Sequence, residues 1–215
     1  MRVESYWTGK ALELDEQDRQ LIGESWRKIG DHSLWAQRLF AKLFICCPPL
    51  AKAMSMSQLC GKDLLNNVRF RDFCHRFAEF WHNLIALLCD SDREEDWLKA
   101  VESIRLLGQR HSQNPKVTFE APVWLRMKNE IVLSITGFSD IRRDRVCLSW
   151  NRLLMFTIAE MKHAFNEGVR RRSSPFLRSN TYHFEQAIHG HSFACPTESP
   201  AASQNDEVDQ SNDAK

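Results

Sequence analysis

The stretch Phe70-Arg71-Asp72-Phe73-Cys74-His75-Arg76-Phe77-Ala78-Glu79-Phe80-Trp81-His82-Asn83-Leu84-Ile85-Ala86-Leu87-Leu88 decides the architecture. Phe70, Phe73, Phe77, Phe80, Trp81, Leu84, Ile85 and Leu88 recur at spacings of three and four over five turns. That period places them on one side of a helix and the charged residues on the other. A strand would alternate instead, and no part of the chain alternates with period two for long. The domain therefore reads as all-α.

Composition agrees. Of 215 residues only 8 are Gly and 7 Pro, which leaves little turn material for a many-stranded fold. Phe counts 13 and Trp 7, against two Tyr, and 10 Phe and 6 Trp fall within residues 14–166. Lys plus Arg is 29 and Asp plus Glu 28, so the net charge is +1 and no concentrated basic surface for nucleic acid is expected. There is no apolar run long enough to span a membrane, and no apolar signal core in MRVESYWTGK. The seven Cys are scattered, without a CxxC pair, and read as reduced thiols of a cytoplasmic protein.

Working outward, further helices follow. Asp15 can cap a first helix with Ile22, Trp26 and Ile29 as its stripe, broken at Gly30 and Asp31. Trp35, Leu39, Phe40, Leu43 and Phe44 line a second, ended by Pro48 and Pro49, and residues 55–66 read as loop. After an acidic break from Asp90 to Asp96, Trp97, Val101, Ile104, Leu107 and His111 share a face, ended by Asn114 and Pro115. Pro122 suits the first turn of the next helix, which Gly137 stops. A last helix runs from about Ile141 to Phe165. Residues 195–215 carry five acids, one base and almost no large apolar side chain, too little to offset ordering entropy. The expected organisation is an N-terminal extension over 1–13, a helical domain over 14–166 and a disordered tail over 167–215.

Of eight His, His111 stands apart. It lies one helical step beyond Leu107, so it points where the core points, and Gly108 beside it would let another backbone or a flat ligand come close. His75 and His82 lie off the aromatic stripe, His32 falls in a turn, and His183, His189 and His191 lie in the tail.

In this context the chain resembles a globin, particularly the invertebrate and nematode single-domain globins, over about 14–166. The resemblance is carried by Trp26, by Leu43-Phe44-Ile45-Cys46-Cys47-Pro48, by Phe70 with Arg76-Phe77, by Leu107-Gly108-x-x-His111 with Val117 six residues on, and by Trp150. It implies a globin fold of six to eight helices around a heme pocket, with His111 as the metal ligand to the iron of heme b. Phe40, Met54, Phe73, Arg76, Phe77, Trp81, Leu107, Val117 and Trp124 would be the cofactor-binding residues. The implied function is reversible binding of dioxygen or another diatomic gas, in sensing or redox signalling rather than bulk transport. The alternative is a heme-based redox enzyme acting on nitrite, nitric oxide or peroxide.

The departures matter. Aligned through Pro48, the position globins nearly always fill with Phe falls on Met54, and the distal position, commonly His or Gln, falls on Phe73. Arg76 could swing inward, or pair with a propionate or Glu79. Sliding the alignment by two residues would make His75 distal, at the expense of the fit of Phe70 and Phe77. Cys46, Cys47 and Cys60 are free thiols in the simpler reading and a redox-controlled disulfide in the other. Arg170-Arg171-Arg172-Ser173-Ser174 resembles a basic-directed kinase site and equally a solvated charge run.

Overall fold

The computed structural model describes residues 2–3, 12–137 and 143–173. The chain divides into two units after Ser173, and the second lies outside the described residues, as does most of the expected tail. Two short strands, β1 (Arg2–Val3) and β2 (Leu12–Glu13), pair antiparallel at the start. Eight helices then make up the described domain: α1 (Glu16–Lys28), α2 (His32–Cys46), α3 (Pro48–Ala53), α4 (Gly61–Asn66), α5 (Val68–Cys89), α6 (Glu94–Gln113), α7 (Ala121–Thr136) and α8 (Arg143–Ser173). No described helix is long and apolar enough to cross a membrane.

The local signals act as their chemistry requires. The Asp15 carboxylate caps α1 by accepting the Asp18 N–H at 2.6 Å, and Asp31 caps α2 by accepting the Leu34 N–H at 2.8 Å. Gly30, between them, holds a φ of +72°, a left-handed turn that glycine takes without strain. Asn67 caps α5 through the Phe70 N–H. The α5 stripe is buried at Phe70, Trp81, Leu84, Ile85 and Leu88, while Phe73, Phe77 and Phe80 are half-buried against the core.

Two boundaries differ from expectation. Residues 61–66, expected as loop, form α4, a helix too short for periodicity to register, pinned by the buried Leu64. The domain does not stop at residue 166: α8 continues to Ser173. The reason is packing on α6. Ala164 and Phe165 are buried, and Gly168 lies against Ser112 so closely that a Cβ there would come within 2.1 Å of its Oγ. The three arginines then follow as the last, exposed turn of this helix, where cations suit the dipole.

Helices α6 and α8 run in the same direction and stay close for their whole shared length. Trp97 meets Phe156 with ring centroids 5.4 Å apart, and the Arg105 guanidinium donates to the fully buried Glu160 carboxylate at 2.8 and 2.9 Å. At Gly108 a Cβ would sit 2.3 Å from the Met161 carbonyl oxygen, so only glycine permits this approach. Of the two readings of Gly108, the neighbouring backbone is the one the structure fills. Asp96 ties down the start of α6 through Ser91, Arg93 and Lys99, and these bonds hold its carboxyl well below the usual range.

A second buried charge joins α1 to α8. Asp18 is fully buried and accepts from Ser149 Oγ at 2.6 Å and from Arg152, with the Arg145 Nε at 3.5 Å. Burial alone would raise its pKa, but the bonds from Ser149 and Arg152 outweigh that and leave it below its ordinary value. The unfolded chain therefore takes up this proton at higher pH than the folded one. The stabilisation is complete above the ordinary carboxylate range and is lost as pH falls from that range through the lower folded-state value.

Two predictions follow from these contacts. Asp18→Asn costs about 1–3 kcal/mol at neutral pH, because the Arg and Ser donors lose a charged acceptor. The cost shrinks toward pH 3 in urea unfolding series, and a cost independent of pH contradicts the account. Gly108→Ala costs about 1–3 kcal/mol by forcing α6 off α8. Gly137→Ala, whose Cβ would meet nothing nearer than 3.5 Å, stays within the range of an ordinary surface change when thermal melts are compared.

Candidate functional site

His111 is in the last turn of α6, held between the α8 contacts at Gly108 and Ser112. Its imidazole is half-buried, and burial pushes its pKa below the ordinary histidine value. At neutral pH the ring is therefore uncharged and keeps a lone pair. The ring packs beside Trp124 of α7, centroids 6.1 Å apart. Among the described residues nothing bonds to the ring nitrogens, so both remain available.

Behind this histidine stands an aromatic bracket. Phe119, in the connection after α6, stacks on Trp124 at 4.3 Å and 9°, and also meets Phe165 of α8 at 5.6 Å. Neither Phe119 nor Phe165 figured among the expected site residues. Phe119 sits in a segment without periodicity, so only the turn geometry (Val117 N–H to the Asn114 carbonyl, 3.0 Å) delivers it. Phe165 read as ordinary core at the end of the last helix.

A second set comes together on α2 and α5. Phe40 is buried and takes Phe73 edge-on at 4.6 Å and Phe77 edge-on at 4.8 Å. Phe77 continues to Trp81 at 6.3 Å. Phe73 and Phe77 are one turn apart on the inner side. His75 is exposed, about 200° round the helix from Phe73. Phe73 is the residue turned toward Phe40, and His75 is turned to solvent.

The remaining expected residues fall into two groups. Leu107 and Met54 are half-buried against the core, and Val117 is half-buried in the turn after α6. Arg76 is exposed and forms no ion pair among the described residues, so it neither turns inward nor pairs with Glu79. The expected cysteine cluster is unlinked: Cys46, Cys47 and Cys60 are free. Burial pushes the Cys74 and Cys89 thiols up to about 12, which keeps them protonated and unreactive.

Together these elements offer a single neutral imidazole, unbonded at both nitrogens, and walls of half-buried aromatic and aliphatic side chains. Among the described residues no three His, Cys, Asp or Glu gather as a metal-chelating set. A lone imidazole suits a metal that brings its other ligands with it, inside a flat apolar frame. An unpartnered, half-buried imidazole costs free energy that such a metal would recover.

No protein-family model matches the chain, and no curated protein sequence matches it. Solved structures do. The chain is similar to the globin-like protein Glb-12 from C. elegans, with a TM-score of 0.63 and 19% identity, covering 74% of this chain and 92% of that one. It is similar to a Drosophila melanogaster globin, with a TM-score of 0.60 and 18% identity, covering 69% of this chain and 93% of that one. It is also similar to a hexacoordinated heme protein from an anhydrobiotic tardigrade, with a TM-score of 0.61 and 15% identity, covering 72% and 97%. The expected architecture thus holds, and this chain adopts the globin fold.

Proposed function

We propose that the chain binds heme b through His111 and uses it to bind dioxygen or another diatomic gas. The observation that carries this reading is His111 itself: neutral, half-buried, without a hydrogen-bond partner among the described residues, and fixed by the α6–α8 contact. Bound heme would supply an iron that binds the gas. The protein supplies the rest. His111 donates its lone pair, and the Trp124–Phe119 stack limits how its ring can turn. Leu107 and Val117, both half-buried, would cover the porphyrin edge.

Phe73 and Phe77, braced by Phe40, would face the gas. They exclude water and provide no donor to a polarised ligand. Dioxygen, which accepts a hydrogen bond when bound to ferrous iron, is held less well by such a wall, whereas carbon monoxide hardly notices it. A bulk oxygen carrier gains nothing from this arrangement. Sensing or redox signalling in the cytoplasm fits it better, and the unlinked thiols at Cys46, Cys47 and Cys60 suit a reducing compartment.

Titration of the purified chain with hemin should give a Soret band at one equivalent, and His111→Ala should lose or shift it. A chain that stays colourless overturns heme binding, and a His111→Ala spectrum identical to the native one overturns the ligand assignment. Phe73→His should slow dioxygen release by about tenfold, the equivalent of one added hydrogen bond, with little change for carbon monoxide. Stopped-flow release rates decide it, and equal effects on both gases contradict the aromatic-wall account.

A further inference from the structure

Four of the domain's six tryptophans do not stop at lining or filling. Starting from Phe77 on the proposed gas side, ring contacts lead two ways. One goes through Trp81 at 6.3 Å to Trp150 at 6.1 Å and on to Trp26 at 6.1 Å. The other goes through Trp35 at 6.0 Å to Trp26 at 5.2 Å. The five rings close a circuit across α1, α2, α5 and α8, and both arms meet at Trp26. From there one further ring leads outward: His32 stacks on Trp26 at 4.1 Å and 15°, is half-buried, and has the exposed His82 6.0 Å away. His32 Nε2–H donates to the Trp26 carbonyl at 2.9 Å, which holds the stack in place.

Packing alone does not ask for this choice of residue. Leucine fills a helical core as well, and a buried indole N–H left unbonded costs free energy. Yet Trp26 and Trp81 are buried with their Nε1–H groups unbonded. Indole is the most easily oxidised neutral side chain in this core, because both tyrosines, Tyr6 and Tyr182, lie outside residues 14–166. An indole with no acceptor keeps its proton when it loses an electron. An electron vacancy can then pass from ring to ring without proton transfer at each step. Trp150 does have a bond, Nε1–H to Ser25 Oγ at 2.8 Å, but Ser25 already donates to the Leu21 carbonyl at 2.7 Å and is no base.

We propose that this circuit is an electron relay connecting the gas side of the pocket to a small-molecule reductant at the His32–His82 surface. The proposal rests on the heme reading above. The oxidant is hydrogen peroxide, consumed in the pocket: each molecule, with two protons, accepts two electrons and leaves as two water molecules. The electrons come one at a time from Trp81 or Trp35, are replaced from Trp26 (through Trp150 on the first arm), and are restored to Trp26 by a one-electron reductant such as ascorbate.

The test uses the full chain loaded with heme, hydrogen peroxide as oxidant and ascorbate as probe. Freeze-quenched samples should show an electron paramagnetic resonance signal that narrows when the tryptophans carry deuterated indoles. Trp26→Phe should cut ascorbate oxidation by about tenfold or more, since one lost step must be crossed at greater length, while the Soret band stays unchanged. If that buried substitution disturbs folding, the double variant Trp35→Phe/Trp150→Phe cuts both arms instead and should give the same loss. Trp97→Phe, whose ring contacts Phe156 outside the circuit, should change nothing. Ascorbate oxidation unaffected by both circuit variants, or a signal insensitive to indole deuteration, overturns the relay. A chain with no Soret band overturns the heme reading itself, whereas a normal band with unaffected ascorbate oxidation overturns only the relay.

Discussion

The close approach of α6 to α8 is the constraint on which the site depends. Gly108 lets the α6 backbone come against the Met161 carbonyl, and Gly168 lets α8 lie on Ser112. These contacts bracket His111, so its backbone cannot shift without one helix leaving the other. The buried Arg105–Glu160 pair fixes the register of the same two helices. A pair with one carboxylate fully buried adds little net stability, but a wrong register would strand it, so it helps select one alignment of α6 on α8. Everything local to the histidine follows: its half-burial, its neutrality, and its place beside Trp124.

The aromatic cluster of α2 and α5 is built by different means. It has no glycine contact and no buried charge, only rings meeting edge to face at distances where aromatic pairs attract. Phe40 is the keystone, because it touches both Phe73 and Phe77 from the neighbouring helix. The two clusters differ in chemistry: one offers a nitrogen lone pair and the other no polar group. The aromatic side also continues inward, through Phe77, into the tryptophan circuit that ends near the surface at His32.

Much of this was legible in the sequence, for physical reasons that can be named. The α5 stripe spans five turns, long enough for a period of 3.6 to separate from chance, and Asp15 and Gly30 carry the start and stop chemistry of α1 in a capping carboxylate and a left-handed turn. His111 was legible because it shared a face with Leu107 and Ile104. What remained illegible was long-range or short. Six residues of α4 cannot show a period. The seven residues of α8 beyond 166 look like a polar, basic run, and only Ser112, far away in sequence, explains why they are helical. Phe119 and Phe165 join Trp124 from different segments, and no spacing rule connects them. The choice between Phe73 and His75 rested on a two-residue slide that sequence alone left open. The α5 backbone turns Phe73 inward and His75 to solvent.

The central claim is that α6, seated on α8, presents His111 as the axial nitrogen ligand. The most direct measurement is resonance Raman spectroscopy of the heme-loaded ferrous protein, made with two iron isotopes, on the native chain and on His111→Gly. The account predicts an isotope-sensitive iron–imidazole stretch in the native chain, its loss in His111→Gly, and its return when free imidazole is added to the variant. A band that survives the substitution unchanged would contradict it.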